Sequence, residues 1–283
     1  AVDPQGVTNG IAGLYLTPRE LAKYGFLYLH HGQWDGEQIV SEEWVEASTR
    51  EQAYIGPDSY VDGLDRRFGY MFSIFPEQEY FGYLGMAGQE LYVIPEKNMV
   101  VVFTAALAVG KEARLLKLLN DYILPAVKSD QTLPDNSQAA SLLQASLQTT
   151  QAARQPVASL PKTALDISGK TYLLEQNSLG WQSMAFTFQP GSDEAVLKMD
   201  GSPYDLKIGL DNIYRLSDTP GSRPIGLRGT WKSEDEFYME NIILGDFITA
   251  VASIQFESDQ IKVAITSLNF GSQPQLLRGV LQK

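Results

Sequence analysis

The stretch IGLRGTWKSEDEFYMENIIL, residues 225–244, decides the fold expected for this chain. Two short apolar runs, 225–231 and 237–244, flank a polar segment, and this pattern predicts two strands. Eight further runs of the same kind surround the stretch, with Pro-Gly, Asp-Gly and Asp-Asn turn signals between several of them. The eight runs are 170–174, 181–188, 195–199, 204–208, 213–216, 248–256, 261–267 and 276–281. About ten short strands predict an all-β barrel or sandwich made of sequential hairpins.

The first 128 residues mix helix and strand patterns. Thr17, Pro18 and Glu20 are typical of a helix start, and Gly32 is a stop signal. Ser41 is the expected cap of a second helix. The links between the expected strands are too short for parallel crossovers, so the sheet should be antiparallel. The expected elements are a loop at 49–65, strands at 67–75, 91–94 and 99–104, turns at 76–79 and 95–98, and a helix at 111–127.

A segment of different composition separates these two regions. Residues 129–165 are dominated by Ser, Gln, Ala, Thr and Pro, which is typical of a connector. Residues 138–154 within it predict a short helix. The sequence therefore predicts an α+β chain with a domain at 1–128, a linker at 129–165 and an accessory all-β domain at 166–283.

Composition excludes several classes of function. The chain has 283 residues and a formal net charge of −12, and an acidic protein lacks the basic footprint of a nucleic-acid-binding protein. The same charge opposes an anionic membrane surface, so we expect no membrane partner. Cysteine is absent and the histidines are His30 and His31 alone, which rules out thiolate and histidine-rich metal sites. We expect no metal and no cofactor.

Several segments of the first domain match a known family in order and spacing. They are GLYLTPRELAKYG at 13–25, WDG at 34–36, IVSEEWV at 39–45, FGY at 68–70, GMAGQ at 85–89, VIPE at 93–96 and VVV at 100–102. Together, over residues 9–128, they resemble the C-terminal part of the β-lactamase-related serine hydrolases. That family includes penicillin-binding-protein-like enzymes, class C β-lactamases and related esterases. The resemblance implies a partial β-lactamase/transpeptidase-like antiparallel sheet with helices.

The resemblance also implies a site at residues 85–89. It makes the backbone N–H of Gln89 one donor of an oxyanion hole, with Met86, Ala87 and Gly88 binding the substrate. Met86 stands where a cationic or polar residue is common, which favours a neutral ester or amide over a carboxylate. The alternative for the same segment is a buried strand with a glycine bulge.

The nucleophile and base of such an enzyme are missing. The one Ser-x-x-Lys match, Ser159 to Lys162, contains Pro161 and lies in the linker, and Tyr-x-Asn does not occur. We therefore expect a fragment of a hydrolase of an ester, amide or peptide, inactive alone. The alternative is a non-catalytic binding protein on a degenerate β-lactamase-like fold.

The resemblance has consequences for partners and location. A hydrolase fragment should expose an apolar patch near residues 14–28, or associate with a second copy or with the missing N-terminal part. We expect a periplasmic or extracellular location.

A third hypothesis makes the β domain an oligomerisation or carbohydrate-binding module, and burial of Trp181 and Trp231 would count against it.

Overall fold

The structure, a computed structural model, describes residues 4–7, 13–57, 65–129, 131–132, 134–150, 154–200, 204–269 and 273–283. It divides into two compact units, Ala1–Leu133 and Pro134–Lys283.

The first unit is built on an antiparallel sheet. Its six strands lie in the order β3-β4-β5-β6-β7-β8, so each strand pairs with its neighbour in the chain, and β1 and β2 form a separate ribbon. The strands are β1 (Gln33–Trp34), β2 (Glu37–Gln38), β3 (Ala53–Pro57), β4 (Asp65–Phe68), β5 (Ser73–Phe75), β6 (Tyr80–Gly85), β7 (Gln89–Ile94) and β8 (Met99–Phe103). The helices are α1 (Pro18–Leu29), α2 (Glu42–Thr49), α3 (Ala113–Leu118) and α4 (Leu124–Ala126), with a π-helical turn (Leu119–Ile123) joining the last two.

The predicted helix signals are confirmed. Thr17 caps α1 in a complete capping box, in which the Glu20 N–H donates to Thr17 Oγ1 and the Thr17 N–H donates to Glu20 Oε2. Gly32 has φ of +84° and donates its N–H to the Leu27 carbonyl, which satisfies an end carbonyl of α1. The Ser41 hydroxyl accepts the N–H of Trp44 at the start of α2.

Successive side chains of β7 point to opposite faces of the sheet, and both faces are buried. Leu91 and Val93 belong to one apolar cluster, which includes Tyr28 of α1. Tyr92 and Ile94 belong to a second cluster that includes Leu119 of the C-terminal helical segment. One strand of the sheet thus holds two separate cores together.

Two predicted elements of this unit were wrong. The expected loop at 49–65 contains strand β3, whose residues carry no turn residue before Gly56. The expected single strand at 67–75 is two strands, β4 and β5, because the chain turns at Met71 with φ of +71°. The antiparallel arrangement itself is confirmed.

The second unit is a closed β-barrel. In the part of the chain that the structure describes, nine strands form a ring in the order β12-β11-β10-β9-β18-β17-β16-β15-β14, and β14 closes it by pairing in parallel with β12. The strands are β9 (Thr171–Leu174), β10 (Ser183–Thr187), β11 (Glu194–Met199), β12 (Leu206–Gly209), β13 (Arg215–Ser217), β14 (Ile225–Trp231), β15 (Glu236–Ile243), β16 (Thr249–Glu257), β17 (Gln260–Ser267) and β18 (Gln275–Leu281). Of the barrel or sandwich that the sequence predicted, the barrel is confirmed.

Two helices precede the barrel strands. Helix α5 (Ser137–Thr150) confirms the helix predicted inside the connector, and its leucines are exposed. Helix α6 (Lys162–Ile167) buries Ala164 and Ile167 in the barrel core. The Thr163 N–H donates to Glu234 Oε1 in the loop between β14 and β15, so α6 covers this end of the barrel.

Side chains fill the barrel interior. Phe237 is fully buried, with its ring 5.3 Å from the rings of both Phe188 and Trp231 and 6.1 Å from that of Phe186. Trp181 and Trp231 pack against this core, which counts against an exposed aromatic row for carbohydrate binding. A small barrel of this kind is a packed core rather than a channel.

The first unit exposes large apolar side chains. They include Leu14, Tyr15, Leu16, Tyr24 and Phe26, as the sequence predicted for residues 14–28. No helix among the described residues combines the length and the apolar character needed to cross a bilayer.

Leu227 and Leu173 offer a matched test of the barrel core. Leu227 is 1% exposed and Leu173 is 45% exposed. Leu227→Ala should lower the free energy of unfolding by about 2–5 kcal/mol because it leaves a cavity in a filled core. Leu173→Ala should cost about 1 kcal/mol or less. Urea unfolding followed by near-UV circular dichroism measures both, and equal losses would contradict the assignment of the core.

Candidate functional site

The turn between β6 and β7 carries all four predicted site residues. Met86 is exposed, Ala87 is fully buried and Gln89 is half-buried. Ala87 and Gly88 have φ of +58° and +89°. A left-handed conformation at a residue other than glycine costs roughly 1–2 kcal/mol, so surrounding contacts must hold Ala87 in place.

Three hydrogen bonds hold this turn under the segment that follows β8. The Ala87 N–H donates to Glu112 Oε1 at 3.1 Å, and the Leu107 N–H donates to the Ala87 carbonyl at 3.0 Å. The Gln89 side-chain amide donates to the Ala105 carbonyl. A Cβ atom on Gly88 would lie 2.7 Å from Leu115 Cδ1, so the space above the turn is occupied. The segment that follows β8 therefore covers Ala87 and Gly88, whereas Met86 stays exposed.

Two buried carboxyl groups, those of Glu90 and Glu112, lie beside this turn. Glu90 is 1% exposed and accepts a hydrogen bond from the Tyr92 hydroxyl at 2.6 Å. Burial raises the pKa of Glu90 to about 7; the hydrogen bond from Tyr92 opposes this rise and the charge of Glu112 adds to it. Glu112 is also buried, and its Oε2 atom has no hydrogen-bond partner among the described residues. Sequence reasoning did not separate Glu90 from surface residues, because its burial follows from a sheet covered on both faces.

A cavity in the second unit lies at the barrel end covered by α6. Its volume is about 380 Å³, within the range of small-molecule sites. We call it the barrel-end pocket. It is lined by Val157, Ala158, Ser159, Leu160, Leu165, Pro190, Gly191 and Ser192.

An ion cluster at the barrel rim positions one wall of this pocket. Its members are Arg154, Asp193, Glu194, Asp211 and Arg215. Arg154 Nε lies 3.4 Å from Asp211 Oδ2, and the Gln155 N–H donates to the Asp211 carbonyl at 2.9 Å. These contacts fix the chain immediately before Val157 at the rim of the barrel. The Val157 and Leu160 side chains then pack against the barrel core.

Arg215 is the centre of this cluster. Its guanidinium binds both carboxylate oxygens of Asp211, at 3.0 and 3.1 Å, and contacts Asp193 at 3.0 Å and Glu194 at 3.1 Å. Burial alone would raise the pKa of Asp211, but hydrogen bonds from Arg215 and from the Ile213 N–H lower it below its ordinary value of 3.8. The stability that Asp211 contributes is therefore present above pH 3.8 and is lost as the pH falls further.

A smaller cavity of about 230 Å³ lies beyond the C-terminal end of β9. It is lined by Glu175, Gln176, Asn177, Leu276, Leu277 and Arg278. The Glu175 N–H donates to the Arg278 carbonyl here, so main-chain pairing already uses part of its polar surface. No group of three or more His, Asp or Glu side chains in the described ranges could hold a metal ion.

Comparisons with known proteins do not show a family. No protein-family model matches the chain, and no curated protein matches it. Among solved structures, a Schistosoma mansoni fatty acid binding protein in complex with arachidonic acid is 11% identical, with 42% of this chain and 98% of that chain covered and a TM-score of 0.32. A fatty acid-binding protein from Drosophila melanogaster brain is 14% identical over 40% of this chain and 98% of its own, with a TM-score of 0.31. As-p18, an extracellular fatty acid binding protein, is 11% identical over 44% of this chain and 100% of its own, with a TM-score of 0.33.

These findings contradict the hydrolase resemblance. These three solved structures are fatty acid binding proteins and not β-lactamase-like or penicillin-binding-protein-like enzymes. The expected serine hydrolase fragment was wrong, and so were its ester, amide or peptide substrate, its degenerate β-lactamase-like alternative and the association with a second copy or a missing N-terminal part. The roles given to Met86, Ala87, Gly88 and Gln89 depended on that resemblance. TM-scores this low do not transfer a function to the chain.

Sequence reasoning missed the barrel-end pocket because residues 157–165 were interpreted as a connector. Val157, Leu160 and Leu165 were the available signal, since apolar residues next to two prolines are unusual in a solvated linker. Their partners at 190–192 were predicted only as a turn. No local pattern connects the two segments.

Asp211 and Asp205 offer a matched test of the ion cluster. Asp211 is almost fully buried, whereas Asp205 pairs with Lys198 at the surface. Asp211→Ala should cost about 3 kcal/mol, because Arg215 loses its bidentate partner in a buried site. Asp205→Ala should cost less than about 1 kcal/mol. Urea unfolding at pH 7 measures both, and a loss at Asp211 no larger than at Asp205 would contradict this role of the cluster.

Proposed function

We propose that the second unit binds a small, neutral, mostly apolar molecule in the barrel-end pocket. The observation that carries this proposal is a cavity of about 380 Å³ with an uncharged, mostly apolar lining, one side of which follows a segment tied to the buried Asp211. A pocket with preformed walls loses less entropy on binding than one that must be ordered by its ligand.

The lining of the pocket favours one class of ligand. Val157, Leu160, Leu165 and Pro190 supply apolar surface, and none of the eight lining residues is charged. The hydroxyl of Ser192 is already engaged, since it donates to the Glu194 carbonyl and accepts the Glu194 N–H. A neutral ligand therefore suits the pocket better than a carboxylate, which would lie near the acidic groups of the ion cluster.

The barrel interior is not the proposed site. Tyr172, Phe186 and Phe237 are each at most 1% exposed, and ring contacts with Phe188 and Phe256 fill the space between them. A ligand inside would have to displace packed aromatic side chains. The end covered by α6 offers apolar surface without that cost.

Binding of the neutral fluorescent probe N-phenyl-1-naphthylamine to the whole chain tests the proposal. A neutral probe avoids repulsion by the net charge of −12. Leu165→Asp places a charge in the pocket and should weaken binding about tenfold or more. Fluorescence titration at constant ionic strength gives the dissociation constants.

Leu173→Asp is the matched control. Leu165 and Leu173 are 47% and 45% exposed, both lie in the second unit, and only Leu165 lines the pocket. The control should bind the probe as the unchanged chain does, within about twofold, because the two variants have the same net charge. Equal weakening by both substitutions, or no weakening by Leu165→Asp, would overturn the proposal.

The periplasmic or extracellular location expected from the sequence also stands as a proposal. Cell fractionation of the native host, with detection of the chain by antibody, tests it directly.

A further inference from the structure

We propose that Glu90 and Glu112 form a proton-sensitive latch that holds the turn at residues 85–89 closed when Glu90 is protonated. Glu112 is the latch, because its Oε1 atom accepts the Ala87 N–H at 3.1 Å. Glu90 is the sensor, because it is buried and lies in β7 one residue beyond the turn.

The geometry leaves Glu90 without a basic partner. Leu84 of β6 and Phe103 of β8 lie directly opposite it in the sheet register, and both belong to the apolar cluster on this face. Across the described residues, no lysine or arginine forms an ion pair with Glu90 or Glu112. The basic side chains of α3, Arg114 and Lys117, are exposed.

The other titratable groups that face Glu90 do not replace a cation. Tyr92 donates its hydroxyl to Glu90, and Tyr80 of β6 is a second buried phenol that interacts with it electrostatically. Burial raises the pKa of Tyr80, so this phenol stays neutral near pH 7. Among the described residues of the unit, Glu112 at the start of α3 is the one carboxyl group whose charge raises the pKa of Glu90.

Glu112 is positioned to respond. Its Oε2 atom is buried without a partner, so the side chain is held by the single bond to Ala87. A negative charge on Glu90 would repel the Glu112 carboxylate in a site with little water to screen it. Movement of Glu112 towards solvent relieves the repulsion and releases the Ala87 N–H. The left-handed φ at Ala87 favours this release.

The direction of the pH dependence follows from the raised pKa of Glu90. The pKa of the Glu90 carboxyl is about 7 when the turn is closed, and it is lower when the turn is open because the charge of Glu112 has then moved away. The closed form therefore binds an extra proton between these two values. Closure is fully favoured at low pH, where Glu90 is protonated in both forms, weakens as the pH rises, and changes no further above about pH 7.

Hydrogen exchange of the Ala87 amide, measured by NMR on the whole chain from pH 5 to 8, tests the latch. After correction for intrinsic exchange, the opening constant should rise with pH below 7, by up to about tenfold per unit, and level off above it. The Asn98 amide is the internal control, because it bonds to the Pro95 carbonyl in another turn of the same sheet and should show no such rise.

Glu90→Gln should make the opening constant at Ala87 independent of pH, since glutamine keeps an acceptor for Tyr92 but does not ionise. Glu96→Gln, at an exposed position in the turn between β7 and β8, should leave the profile unchanged. Should Glu90→Gln fail to fold, Glu112→Gln should flatten the profile by removing the repulsion. An opening constant at Ala87 that is flat or falls between pH 5 and 7 in the unchanged chain would overturn the proposal.

Discussion

The bidentate pair between Arg215 and Asp211 is the interaction on which the second unit depends most. All three guanidinium nitrogens of Arg215 have acceptors: carboxylates of Asp193, Glu194 and Asp211 and main-chain carbonyls of Ile213 and Asp193. Burying a guanidinium is tolerable only when its donors are satisfied in this way. The acceptors come from the start of β11 and from the connection between β12 and β13, so one side chain joins two segments at one barrel rim.

The filled barrel core and this rim together decide where a ligand can lie. Phe186, Phe188, Phe237 and Phe256 occupy the interior, so apolar surface that remains accessible lies outside the ring of strands. The segment at 157–160 reaches the rim because Arg154 and Gln155 are tied to Asp211. A pocket built in this way has one wall from the barrel turn at 190–192 and another from the chain that enters the barrel. Its shape therefore depends on electrostatics at the rim and on packing behind it.

The sequence was informative where the local pattern agrees with the tertiary environment. Each barrel strand has one buried face, as in β16, where Ala252, Ile254 and Phe256 alternate with less buried residues, and the ten predicted strands end within about two residues of the observed ones. The helix starts at Thr17 and Ser41 were also correct, since capping is a local interaction.

The errors arose where non-local contacts decide the structure. Strand β3 has no strong strand pattern and forms because it pairs with β4. The burial of Glu90 depends on helices that follow more than twenty residues later. The family resemblance relied on ordered short segments such as those at 13–25 and 39–45. Helix starts of this kind recur for reasons of capping and amphipathic spacing, so they do not establish a shared function.

The most direct test of the account is an NMR titration of the whole chain, with methyl groups labelled, against N-phenyl-1-naphthylamine. We expect the methyl signals of Val157, Leu160 and Leu165 to shift in a saturable way, while those of Ile208 and Leu227 in the barrel core stay unchanged. Shifts centred on the core methyl groups would contradict it, because they would place the probe inside a barrel that the structure shows to be filled.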